Sequence, residues 1–201
     1  MNANAIALIT DAVRVRLEAA VGVGQVYVGP PVAEDVGNRT LALFLFHVLP
    51  SQAMRNQVHY VSASTDPKDP FVEANAIPLD LRYLVSAFRS SATGSSADPN
   101  ELLHLGAAIQ QLHAHPDIDS SEVRDQLARI TPEPFTMEDL SRVWSLLPQT
   151  SYRTSMVYLV SPVFIALAPA FESSRVTESR YQQGPMAPQT NAAGAPGRAE
   201  P

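Results

Sequence analysis

The sequence predicts an α+β domain, and three observations predict it. Segments whose apolar residues recur at steps of three and four are interspersed with runs rich in β-branched and aromatic residues. Hydrophobic residues make up 45% of the 201 positions and charged residues 17%, enough for a core beneath a moderately charged surface. The region with the fullest local signals, Ile130 to Ala166, reads by itself as a capped helix, a turn and one long strand. Thr136 stands at its N-cap with Asp139 three residues on, a carboxylate version of the capping box. Leu140, Val143, Trp144 and Leu147 form one apolar stripe, and Pro148 ends the helix because it has no N–H to donate. From Thr154 to Ile165 the run is too apolar for a solvated surface strand.

The first helix comes from Ile6, Ile9, Val13, Leu17 and Val21, with Asp11, Arg14 and Glu18 off the stripe and Gly22 and Gly24 as stop signals. Val26 to Val28 is a short strand ending at Gly29-Pro30-Pro31, and Asp35 to Asn38 a polar turn. Thr40 to Leu49 is apolar on both faces and is expected to be a central strand. Leu41, Leu43, Leu45 and Leu49 then share one face with His47, against Ala42, Phe44, Phe46 and Val48. Val58 to Ser62 continues as an extended segment, and Ser64 to Pro70 is a loop. Pro78 to Phe88 is a half-buried strand carrying Asp80 and Arg82 on its polar face. Ser90 to Asp98 is a connector. A second helix opens at Asp98-Pro99. It buries Leu102, Leu105, Ile109 and Leu112, with Gly106 allowing close approach, and ends at Pro116. A short helical piece anchored by Val123 and Leu127 is expected over Ser120 to Leu127. The domain takes residues 1–172, and 173–201 form a Pro- and Gly-rich tail with too little apolar area to repay its ordering entropy.

Composition excludes several functions. A net charge of −6 argues against a dedicated nucleic-acid binder, which needs clustered cations for phosphate. Lys68 is the single lysine; the other thirteen basic residues are arginine, a residue suited to planar bidentate contacts. With no cysteine there is neither disulfide nor thiolate chemistry. The N-terminus lacks a basic n-region and is interrupted by Asp11, Arg14 and Arg16, so it is not a signal peptide. No apolar run reaches the roughly 20 residues of a spanning helix, and the chain is expected to stay initially in the cytoplasm.

A search for chemistry returns no catalytic residue, no cofactor and no metal site. His113 and His115 stand at i,i+2 spacing at a helix end, so their rings diverge; His104 and Asp117 do not complete a ligand set. No serine sits in a nucleophile elbow. The only G-x-G, at Gly22 to Gly24, leads into a strand and prolines and not into a helix. Polar residues beside apolar structure remain: Arg55, Asn56, Asp80, Arg82, Glu138, Arg142, Tyr152 and Arg153. Arginine and tyrosine are enriched where protein surfaces meet, which makes these eight the candidate interface. The alternative is a solvated rim of ordinary intramolecular pairs.

Four stretches in register carry a family resemblance. They are TLALFLFHVLPSQAMRN (Thr40 to Asn56), PLDLRYLVSAF (Pro78 to Phe88), LGAAIQQLHAHP (Leu105 to Pro116) and ITPEPFTMEDLSRVWSLLPQTSYRTSMVYLV (Ile130 to Val160). Together, over about Ala5 to Ala168, they resemble the N-terminal domain of the cap, or tail-terminator, protein of extracellular contractile injection systems, which are phage-tail-like particles. The resemblance implies a tail-terminator-like α+β fold, with a mixed or mainly antiparallel sheet and helices packed on it. It implies a structural protein with no enzymatic activity and three partners: itself, as a homohexameric ring, the sheath protein and the inner tube protein. Nucleic acid and direct membrane insertion are not implied. The particle would assemble in the cytoplasm, with extracellular release to follow. An adaptor to a cellular partner and a small hydrolase stand as alternatives. Pro162 within the last strand fits an edge or a bulge better than a sheet centre, and an edge there would accept a partner's strand.

Overall fold

The computed structural model describes residues 4–54, 59–62, 71–74, 76–88, 99–119, 123 and 126–166. Helix α1, Ala5–Val21, buries Ile9, Val13 and Leu17 as their spacing predicts. Gly22 follows with φ 106° and Gly24 with φ 76°, in the region a Cβ disfavours. Strand β1, Val26–Val28, is short; a single helical turn, α2 at Ala33–Val36, takes the first half of the polar turn expected at Asp35 to Asn38, and Gly37 and Asn38 form the turn itself. Val36, at the end of α2, is fully buried against Ala42 and Phe88. Next come β2 (Leu41–Pro50), β3 (His59–Ser62), β4 (Phe71–Ala74) and β5 (Ala76–Ala87). They are followed by α3 (Pro99–Ala114), β6 (Asp117–Ile118), β7 (Ala128–Pro132), α4 (Met137–Ser145) and β8 (Ser155–Ala166).

Six strands form one sheet in the order β1-β2-β5-β8-β7-β6; β3 and β4 form a separate two-stranded sheet. β1 runs parallel to β2 and every other pair is antiparallel, so the expected mixed, mainly antiparallel sheet is what forms. The helices α1 and α3 share a core with one face, where Leu41, Leu43, Leu81, Tyr83, Tyr158 and Val160 are buried. On the other face Leu140, Val143 and Trp144 of α4 pack on Leu84 and Val157, with Phe44, Phe46 and Phe135 beside them.

Two bulges alter the expected strand geometry. Leu45 pairs with Tyr83 and His47 with Arg82, so Phe46 is an extra residue in β2. The alternation therefore changes phase: His47 and Leu49 move to the face of Ala42 and Phe44, not the leucine face predicted for them. β2 is also not the sheet centre, since β1 covers only Leu41 to Leu43 of it. The central strands are β5 and β8. Leu79 pairs with Val163 and Leu81 with Val160, which places one extra residue of β8 at Ser161-Pro162. Pro162 thus sits at a bulge, as one reading of it required. The edge reading holds for that end of the strand as well: β8 lies between β5 and β7 only as far as Ser161, and from Pro162 onward β5 is its one strand neighbour among the described residues.

Helix α3 departs from expectation at two residues. Its buried stripe is Leu105, Ala108 and Leu112, whereas Leu102, in the first turn, is 61% exposed. Gly106 faces open space, and a Cβ added there would meet nothing within 4 Å, so it permits no close approach. Of the helical piece expected at Ser120 to Leu127, Val123 is buried, but Leu127 is exposed and non-helical. The expected loop at Ser64 to Pro70, the connector at 90–98 and the tail lie outside the described residues.

Candidate docking surfaces

Asp80 and Arg82 project from β5 on the α4 side of the sheet, one residue pair below the area that α4 covers. Arg82 meets Glu133 through two parallel bonds, Nε to Oε2 and Nη2 to Oε1, both 2.7 Å. The two side chains are only 22% and 19% exposed. A bidentate, half-buried pair is a fixed structure and not a fluctuating surface contact. Its hydrogen bond to Glu133 holds the Arg82 guanidinium pKa above its ordinary value. Glu133 is itself placed by its N–H, which donates to the Val157 carbonyl at 3.0 Å. Ser161 Oγ donates to Asp80 Oδ1 at 2.5 Å. Leu159 stands between Arg82 and Thr131 in register across three strands. Below α4, this half of the sheet face is a patch of paired charges around half-buried Leu159.

A second group gathers beyond the C-terminal end of α4. Trp144 donates its indole N–H to Ser155 Oγ at 3.3 Å, and Tyr152 packs edge-on against its ring at 5.7 Å. The loop carrying Tyr152 is tied down where Thr150 Oγ1 donates to the Pro31 carbonyl at 3.0 Å. The result is a cleft of about 400 Å³ lined by Met137, Ser141, Trp144, Ser145, Thr150 and Tyr152. Tyr152, 51% exposed, also borders a more polar cleft of about 350 Å³ with Glu101, Ser151, Arg153 and Thr154. Arg153 lies over the Phe88 ring at 4.4 Å, a cation–π contact, with Glu101 Oε1 at 3.6 Å.

Glu138 and Arg142 pair at 2.6 Å on the outer face of α4, at 75% and 73% exposure. Water screens such a pair, so it orients side chains more than it stabilises the helix. Asp139 belongs to the cap, as its spacing predicts. Its N–H donates to Thr136 Oγ1 at 3.2 Å, and its Oδ2 accepts from the Thr136 hydroxyl at 2.6 Å and the Thr136 N–H at 3.3 Å. The hydroxyl bond, then the backbone bond, lowers its carboxyl pKa.

Six of the eight candidate interface residues therefore fall into three groups: Asp80 with Arg82, Glu138 with Arg142, and Tyr152 with Arg153. Arg55 and Asn56 lie outside the described residues. Sequence reasoning missed Glu133, Ser161, Glu101 and Phe88, the partners that fix these groups. Glu133 is legible only once β7 is recognised, because β7 carries it across the sheet to Arg82. His113 packs edge-on against Tyr158 with ring centroids 6.3 Å apart. Among the described residues no helix is long and apolar enough to cross a membrane.

The family model described as the Pvc16 N-terminal domain matches residues 5–179. Two solved structures share the fold. One is the sheath/tube terminator, in its extended state, of the extracellular contractile injection system PVC. It superposes with a TM-score of 0.61 at 13% identity, over 95% of this chain and 67% of that one. The other is the tube-terminating cap of the anti-feeding prophage, with a TM-score of 0.54 at 15% identity, over 87% of this chain and 60% of that one. The chain thus spans about two thirds or less of either neighbour's length. No curated protein matches it.

Proposed function

Because the chain belongs to the Pvc16 N-terminal domain family, we propose that it is a structural cap of a contractile injection system. It forms a ring on the last layer of tube and sheath, ends their polymerisation and holds the two together. The observation that carries this reading is a fold shared over 95% of the chain with a sheath/tube terminator. The three residue groups support it physically. Their polar side chains are engaged in ion pairs, hydrogen bonds and aromatic contacts, an arrangement suited to presenting a shaped surface and not to activating a nucleophile or water. The cap is a non-enzymatic protein with three partners: its own copies in a homohexameric ring, the sheath protein and the inner tube protein. It assembles in the cytoplasm into a particle destined for the outside of the cell. Residues 1–172 are the capping domain, and 173–201 a separate tail.

Electron microscopy of particles produced without this protein tests the proposal. Sheaths and tubes of irregular, extended length are expected, and normal length distributions would overturn it. Native mass measurement of the isolated full chain reports the ring stoichiometry, with six copies expected.

A further inference from the structure

We propose that the β3–β4 hairpin of one copy pairs with the outer edge of β2 in the next copy, closing the ring through a strand contact. This inference rests on the terminator reading above. It begins with the sheet's rim. The last bond between β1 and β2 runs from the Gly29 N–H to the Leu43 carbonyl at 3.0 Å, after which Pro30 and Pro31 end the strand. The Leu43 carbonyl points outward, and the Ser51 N–H bonds inward to Pro78 at 2.9 Å. With strand alternation and the extra residue Phe46, this leaves the N–H and C=O of Leu45 and Val48 facing outward. Among the described residues nothing bonds to them.

Two other stretches of the rim are closed. The Ile130 N–H is taken by the Pro116 carbonyl at 2.7 Å, and Pro132, next on that side of β7, has no N–H. Beyond Ser161 the exposed side of β8 is met by the side chain of Gln126. Its amide donates to the Phe164 carbonyl at 2.7 Å and accepts the Phe164 N–H at 3.0 Å, as a neighbouring strand would.

The hairpin supplies the complement. Its four residue pairs, from His59–Ala74 to Ser62–Phe71, make a sheet of two strands that, among the described residues, pair only with each other. A two-stranded unit is marginally stable in water and gains from a third strand. Pro30 and Pro31 beyond β1 and Pro50 at the end of β2 bound the open edge, so long strands cannot pair along it, whereas a four-residue strand spans the stretch from Leu45 to Val48. Joining a hairpin to an edge joins two unlike surfaces, which generates a ring when the rotation closes.

The chain has no cysteine, so introduced thiols are the only ones present. Two double variants of the full chain, Val48→Cys with Val61→Cys and Val48→Cys with Val72→Cys, test either strand of the hairpin as the partner. Under mild oxidation one of them is expected to give a ladder of covalent multimers, and each single variant none. Rings of normal mass in which neither pair cross-links would overturn the strand contact and leave the ring reading intact. A wild-type chain that stays monomeric at all concentrations would overturn both. Amide exchange of the unsubstituted protein checks the same point, with slowing of about tenfold or more expected at Leu45 and Val48 on assembly. Equal exchange in ring and monomer would overturn the contact.

Discussion

Gln126 is the residue whose loss should be felt most locally. It is 6% exposed, and both ends of its amide are committed to the backbone of Phe164. In Gln126→Ala the half-buried carbonyl and N–H of Phe164 lose the Gln126 amide together, at a combined cost of about 1–3 kcal/mol. A clear fall in the urea midpoint of the full chain is expected; a change within error would mean that another group replaces the amide. Thr136 makes a useful contrast. Its bonds to Asp139 span three residues and are legible as a spacing in the sequence, because an N-cap is a local device. Gln126 reaches a residue 38 positions away, and nothing near it in the sequence announces that contact. Arg82 is similar. The chain shows an arginine on a strand, but its partner Glu133 is 51 positions on.

At the scale of the element, helices were legible where one apolar stripe meets one surface. The stripes of α1 and α4 are buried as their periods require. Strands were legible where they are long: β2, β5 and β8 fall within two residues of their predicted ends. β6 has two residues and β7 five, too few for any period to show, and both exist because the neighbouring ladder supports them. The bulges were invisible because an extra residue leaves composition unchanged and alters only phase. Gly106 gives this scale its test. It lies in the interior of α3 with free space where a Cβ would go, so Gly106→Ala removes the entropic penalty of glycine without a clash. A gain of about 0.5–1 kcal/mol is expected, read as a raised thermal midpoint. A lowered midpoint would show the site to be closely packed after all.

For the whole molecule the central pair of strands sets the response to alkali. Tyr83 and Tyr158 are registered partners on β5 and β8, both buried beneath the helices. Burial pushes each hydroxyl up to about 12, although the Thr10 hydroxyl, 2.8 Å from Tyr83, works in the opposite direction for Tyr83. In the unfolded chain a tyrosine loses its proton near 10. Between about 10 and 12 the unfolded state therefore holds fewer protons than the folded one, and stability falls as pH rises. Below 10 these groups contribute no pH dependence. The urea midpoint is expected to be flat from pH 8 to 9.5 with respect to these residues and to drop by pH 11. A midpoint that held at pH 11 would mean that the two hydroxyls are open to water. The same sheet divides the molecule's labour. One face is covered by α1 and α3, and the other, half covered by α4, presents the Arg82–Glu133 patch.

Phe46 carries one further consequence. Deleting a residue from a strand normally turns every side chain beyond it to the wrong side. Here the pairs on either side of Phe46, Leu45 with Tyr83 and His47 with Arg82, are already consecutive along β5. Phe46 is a spare link. Removing it would forfeit its packing against Phe135, whose ring lies edge-on 6.0 Å away, yet every other pair in β2 would keep its partner and its side. The strand can shorten by one residue at that position without rewriting the sheet, so tolerance of a one-codon deletion should be concentrated there.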